Sequence, residues 1–213
     1  MQKFAEIYGP DELRGESRDK YRGAFSGFES SAVELLARFA GTTFGGGVYR
    51  LYGADEIGSW TAAVGEPFED YRHSVRCFGR DWLCNQFCLD SRRKNARHEP
   101  LVLMFEISTG QVLEIPETLE SFHSKAIVND PHGTLLADTF RQWRLIDPQP
   151  LSSTECVGYK LPLFLNGKDE LENLERIDAE VYWHITSQVL IKTRDLPEGT
   201  AVEGFPSRQT LSR

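Results

Sequence analysis

The sequence predicts an α+β protein with an antiparallel central sheet of about four to six strands flanked by helices. Three observations predict it. Apolar residues recur at helical spacing between residues 28 and 39, β-rich runs broken by short polar stretches fill residues 74 to 115, and two more helical patterns follow between residues 132 and 194. The chain has 213 residues, 40% hydrophobic and 26% charged. A chain this long buries roughly 70% of the surface its unfolded form exposes, so a core needs neither disulfides nor a structural metal.

The first helix is expected over residues 27–40, with Phe28, Ala32, Leu35, Leu36 and Phe39 on one face. Ser26 and Glu29 have capping-box spacing, and Gly41 suits a left-handed C-terminal residue. In the run from Phe44 to Tyr52, Gly45, Gly46 and Gly47 permit a tight reversal and the β-rich residues after them suit a strand. A short helix follows at 55–64, ended by Gly65 to Pro67. Strands are expected at 74–78, 83–89, 101–107 and 111–115 as a meander, with Ser108-Thr109-Gly110 turning the last hairpin. The break from Ser91 to Pro100 carries Arg92, Arg93, Lys94 and Arg97 and reads as a solvated basic loop, with Arg92 and Arg93 a remote candidate for partner contact.

Residues 132–146 form the next helix, with Leu136, Phe140 and Trp143 on one face and Pro148 beyond its end. The run 156–165, interrupted by Pro162, reads as an irregular buried connection. The last helix runs from Asp178 as N-cap to Arg194, with Glu180 at its start and Lys192 near its end complementing the macrodipole. Its apolar residues lie all round, so it should be enclosed by other elements. Phe28, Leu35, Phe39, Trp82, Phe105, Phe140, Trp143, Phe164, Trp183 and Ile185 are the expected core, and residues 204–213 a loose tail.

The charge balance is 32 acidic against 24 basic residues, a net −8 with a pI near 5.2, which repels phosphate backbones. Direct nucleic-acid binding is disfavoured and a basic protein partner is favoured. No run is long and apolar enough to span a bilayer and the first residues lack a signal peptide's apolar core, so the expected location is cytoplasmic, without membrane attachment. Cys77, Cys84, Cys88 and Cys156 are then expected reduced and mostly buried. Cys84 and Cys88 are four apart, not the knuckle spacing of a structural zinc, so no metal is expected. The chain has no Gly-x-Ser-x-Gly elbow, no P-loop lysine after the glycines, and no histidine pair around a glutamate. No catalytic residue and no cofactor are assigned. A hydrolase using His184 or His123 with a carboxylate would need a deep pocket joining the two.

Acidic residues do stand out. Residues 166–180 hold Asp169, Glu170, Glu172, Glu175, Asp178 and Glu180 against Lys168 and Arg176, and Glu114, Glu117 and Glu120 form a second acidic stretch. Asp169, Glu170, Glu172, Glu175, Glu117 and Glu120 are the candidate partner-binding residues, a docking surface for a basic protein.

Several strings resemble one family. Phe78-Gly79-Arg80-Asp81-Trp82-Leu83, Glu114-Ile115-Pro116, the run from Cys156 to Leu165, Glu172-Asn173-Leu174-Glu175 and Val181-Tyr182-Trp183-His184-Ile185 resemble the C-terminal part of bacterial immunity proteins that neutralise type VI secretion DNase toxins. The stretch from Phe44 to Arg50 resembles the GAD-like part that precedes it in that family. The resemblance covers roughly residues 5–200. It implies a SUKH-like α+β fold, with residues 1–95 the GAD-like part and 96–203 the family's C-terminal part, packed as one continuous unit. It also implies a cognate DNase toxin, bound one to one without chemistry. Two positions depart from the pattern, since glycine is expected where Cys84 and Ser187 stand. The competing reading is a regulatory or scaffold module of the same fold without a toxin partner, which an isolated gene would favour and an adjacent toxin gene would not.

Overall fold

The computed structural model describes residues 2–28, 30 and 32–197. Its centre is a six-stranded antiparallel sheet in sequential order: β1 (Thr43–Phe44), β2 (Tyr49–Leu51), β3 (Val75–Asp81), β4 (Gln86–Lys94), β5 (Pro100–Glu106) and β6 (Gln111–Thr118). This is the α+β class and antiparallel sheet that the sequence predicts, and the sheet runs across residue 95 with its strand order unbroken. Helices α1 (Gln2–Tyr8), α2 (Arg18–Ala24), α3 (Ala32–Leu36) and α4 (Ala54–Gly65) come from the first third of the chain. Short turns α5 (Leu119–Ser121), α6 (Ile127–Asn129) and α7 (Pro131–Leu135) lead into α8 (Ala137–Ile146). A two-stranded antiparallel ribbon, β7 (Glu155–Tyr159) with β8 (Leu174–Asp178), precedes the long α9 (Ala179–Thr193).

A bulge decides which side chains meet on the sheet. The β3–β4 register shifts between Cys77 and Gly79, so one extra residue sits there and Arg80 returns to the face of Cys77 while Phe78 points the other way. On the Phe78 face, Phe4, Phe44, Tyr49, Phe87 and Phe122 pack ring on ring, with Phe87 and Phe122 centroids 4.9 Å apart. On the Cys77 face, the Cys77 amide donates to Thr61 of α4, and the Trp183 indole of α9 donates to the Ala63 carbonyl at 3.0 Å. Each of these fully buried rings contributes roughly 1.5–3 kcal/mol of hydrophobic stabilisation.

The three glycines after Phe44 do what their composition requires: Gly45, Gly46 and Gly47 take φ of +61°, +69° and +109°. A Cβ on Gly47 would come within 2.5 Å of the Leu151 Cβ. The ribbon docks on the end of β3, where the Val157 amide donates to the Trp82 carbonyl at 2.7 Å and Arg80 donates to the carbonyls of Ser153 and Glu155.

Several expectations are corrected. The 27–40 helix is α3 followed by a single 3-10 turn, Ala37–Phe39, so Leu35 faces outward at 65% exposure. Its capping partner Glu29 lies outside the described residues. The 132–146 helix is broken at Leu136, whose φ of +50° separates α7 from α8. Arg92, Arg93 and Lys94 belong to β4, leaving a short loop, because β4 continues past its bulge to pair Lys94 with Pro100. Residues 156–159 are strand, not irregular connection, since β8 supplies a ladder partner. Cys77 and Cys88 stand directly opposite in the β3–β4 register and are joined by a disulfide, whereas Cys84 and Cys156 are free and buried. The last helix is not fully enclosed: Val181 and Ile185 are 48% and 53% exposed. Phe164 is half-buried against the core and the other seven core expectations are buried. The expected tail, 204–213, lies outside the described residues.

Candidate functional site

The acidic residues that sequence reasoning singled out sit on the ribbon and the segment that closes it. Between β7 and β8 the chain turns back through residues 160–173, and one asparagine shapes it. Asn173 accepts the Leu161 amide at 3.0 Å with its Oδ1 and donates to the Leu161 and Lys168 carbonyls with its Nδ2. The Tyr159 hydroxyl donates to Asp169 at 2.6 Å and the Lys160 ammonium to the Glu172 carbonyl at 2.8 Å. The Phe164 amide donates to the Ser108 carbonyl, pinning this segment to the β5–β6 turn. Asp169, Glu170, Glu172 and Glu175 are thus held on a backbone fixed by hydrogen bonds, with all four side chains exposed.

Charge on this surface is arranged differently from the sequence count: the Lys160 ammonium, from outside the counted stretch, lies on the Glu172 carbonyl at 2.8 Å. Arg176, counted there as a neutralising charge, turns to the opposite side. In the ladder Arg176 opposes Val157 and Glu175 opposes Gly158, and opposed residues share a face. Arg176 lies 5.6 Å from the Trp143 ring and pairs with Asp147 and Glu155, leaving Glu175 on the α9 side. Lys168 lies 3.8 Å from Glu170. Glu172 and Glu175 have no ion-pair partner among the described residues. Sequence reasoning missed Asn173 and Arg176 as organisers, because a side chain that hydrogen-bonds backbone across a turn leaves no periodic trace.

Glu117 and Glu120 lie apart from this group. Glu117 is near the end of β6 and Glu120 is in α5, whereas the 160–173 segment meets the start of the β6 hairpin. The six steps from Gln111 to Glu117 span roughly 20 Å at about 3.3 Å each, so the two acidic stretches occupy opposite ends of that edge strand. Arg93 of the basic run pairs with Glu114 at 2.7 Å and Arg92 with Asp90 at 3.3 Å, so both are committed to neighbours.

His123 and Asp81 are buried titratable groups held by hydrogen bonds. His123 is fully buried; its Nδ1 lies 2.8 Å from the Leu119 carbonyl and its Nε2 2.8 Å from the Tyr49 hydroxyl. A carbonyl only accepts, so the proton sits on Nδ1 and Tyr49 donates to Nε2. Burial pushes this imidazole down to about 3, keeping it neutral. Asp81 is pushed up to about 7 by burial, against the donors Leu83 N, Asn85 N and Asn85 Nδ2. His184 lines a groove between α4 and α9 with Ser59, Glu66 and Glu180. The Ser59 hydroxyl donates to the Glu56 carbonyl, and no hydrogen bond joins Ser59, His184 and either carboxylate among the described residues. Nothing there is arranged as a nucleophile with its base. Among the described residues no group of His, Cys, Asp and Glu is placed to hold a metal ion, and no helix is long and apolar enough to cross a membrane.

No family model matches the chain, and no curated protein matches it. The fold is similar to the crystal structure of Atu4351 from Agrobacterium tumefaciens, with a TM-score of 0.63 over 88% of this chain and 88% of that one at 10% identity. At that identity the likeness is one of fold. The two positions where glycine was expected have distinct settings. Cys84 adopts φ +67°, a conformation glycine takes without steric cost, and Ser187 is fully buried with no hydrogen-bond partner for its hydroxyl among the described residues.

Proposed function

We propose that this chain is a bacterial immunity protein that binds a cognate type VI secretion DNase toxin one to one and neutralises it without catalysis. The observation that carries the reading is the ribbon end: Glu172 and Glu175 exposed without ion-pair partners, on a hydrogen-bonded backbone, with Arg176 turned to the other side. A DNase must offer a positive cleft to phosphates, and a rigid acidic surface on a chain of net charge −8 can enter that cleft, steer its own association and exclude DNA. Of the strings that resemble the immunity family, 156–165, 172–175 and 181–185 lie in or beside the ribbon and α9, whereas 78–83 lies at the end of β3 on which the ribbon docks and 114–116 lies in β6. The cytosol is the compartment the reading requires, because DNA is protected there. The test is to co-produce the chain with the product of the adjacent gene. Recovery of a stoichiometric complex whose nuclease activity is suppressed supports the reading, and an untouched nuclease at saturating dose overturns it.

A further inference from the structure

The central sheet has one long open edge. β6 pairs with β5 alone, and among the described residues neither a strand nor an isolated bridge meets its other side. The hairpin that sets its register closes where the Gly110 amide donates to the Glu106 carbonyl at 2.9 Å, while the Gln111 amide goes to the Thr109 hydroxyl at 3.2 Å. Glu106 and Gln111 therefore form a bonded pair, and alternation along the ladder makes Met104 with Leu113 and Val102 with Ile115 the next ones. Val112 and Glu114 lie between these pairs, so their N–H and C=O groups turn away from β5. Pro116 ends the open stretch, because it has no N–H to offer.

We propose that this edge receives an extended, basic segment of the partner as an added strand. Main-chain bonds to Val112 and Glu114 supply the attachment, and Leu113, 39% exposed, gives an apolar contact on one face. The two acidic stretches stand at the ends of the same edge. The segment that carries Asp169 and Glu170 meets the hairpin turn through the Phe164 amide on the Ser108 carbonyl, and Glu117 and Glu120 lie roughly 20 Å away, beyond Pro116. Arg93 holds Glu114, whereas Glu117 and Glu120 have no ion-pair partner among the described residues. Charge selects the occupant. A second copy of this chain brings the same carboxylates and another net −8 to the edge, and like charges across a strand pair destabilise it. A strand bearing lysine or arginine meets opposite charge at both ends. This inference rests on the immunity reading for the partner's identity, and on the backbone geometry of β6 for the way it is held.

The first test uses a probe independent of any toxin. Backbone amide signals are followed by NMR while acetyl-Lys-Val-Lys-Val-Lys-amide is added. The Val112 and Glu114 signals shift with this peptide, and stay in place with the same peptide carrying alternate N-methyl amides or with glutamate in place of lysine. The double variant Glu117→Lys/Glu120→Lys weakens the response. No shift at millimolar lysine peptide, an equal shift with the N-methyl or glutamate peptide, or an unchanged response in the folded double variant overturns the proposal. Shifts of the same amides with protein concentration alone also overturn it, since they make a second copy the occupant. In the complex with the adjacent gene's product, hydrogen exchange at Val112 and Glu114 slows by about tenfold or more, and a complex that forms while both amides exchange freely contradicts the proposal. Nuclease inhibition without these responses removes this inference alone, and a peptide response without nuclease inhibition removes the immunity reading alone.

Discussion

Arg176 commits all five of its guanidinium N–H bonds, and Asp147 takes two of them, from Nε and Nη2, both at 2.9 Å. The remaining three go to Glu155 and to the carbonyls of Gln149 and Pro150. One side chain therefore ties β8 to the segment between α8 and β7. Arg176→Met should destabilise the protein by about 2–3 kcal/mol in urea unfolding, and Arg176→Lys should recover only part, because a point ammonium cannot serve five acceptors in a plane. Hydrogen bonding to Arg176 holds Asp147 below the usual carboxylate range, and the Ser152 amide followed by Arg176 does so for Glu155. Their stabilisation is present above the unfolded values near about 4 and is lost as pH falls through the lowered folded values, so Arg176→Met should flatten the acid limb.

Two buried groups should oppose each other at mild acidity. Asp81, raised to about 7, keeps in the folded state a proton that the unfolded chain releases, so its contribution falls as pH rises from about 4 to 7. His123, lowered to about 3, lacks in the folded state a proton that the unfolded chain holds, so its contribution falls as pH drops from about 6.5 to 3. Asp81→Asn should therefore leave a protein that loses stability on acidification from pH 6.5, and His123→Gln one that gains it. Denaturation midpoints at pH 5 and pH 7 read both slopes, and parallel behaviour of the two variants would refute the assignment.

Gly47→Ala should cost about 2–4 kcal/mol, because φ of +109° is strained for alanine and the new methyl lands 2.5 Å from the Leu151 Cβ. Thermal unfolding checks this, with Gly58→Ala as control, since nothing lies within 4 Å of a Cβ there.

Ser187→Ala should stabilise the chain by about 1 kcal/mol, since the substitution removes a buried hydroxyl without a partner and places a better helix former inside α9. A loss of stability would mean that the hydroxyl has a partner in solution.

Glu172→Lys with Glu175→Lys should leave folding intact, both side chains being exposed, and slow association with the proposed toxin partner most strongly at low salt. Association rates measured across a salt series decide it. Indifference to both charge and salt would remove the ribbon from the binding surface.

Where one local rule governs, the fold was legible in the sequence. Asp178 caps α9 by accepting the amides of Glu180 and Val181 at 3.0 Å, as its type and position announce. The meander from β3 to β6 follows its β-rich runs and short turns. What stayed hidden depends on partners distant in sequence. Residues 156–159 become strand because residues 174–178 lie beside them, and the proline at 162 falls in the closing segment and interrupts no strand. Leu35 and Ile185 fit helical stripes, yet each is more than half exposed while Ala32, Leu36 and Phe39 of the first stripe are buried. The acidic residues of the candidate site were visible as composition, whereas Arg176 looked like part of the same surface until its ladder register placed it on the other side.

The most direct measurement is a nuclease assay on the neighbouring gene product with increasing amounts of this chain. Cleavage should stop at one equivalent and return as Glu172 and Glu175 are reversed at low protein concentration. Undiminished cleavage at saturating dose, or turnover of a small substrate by the chain itself, would contradict the account.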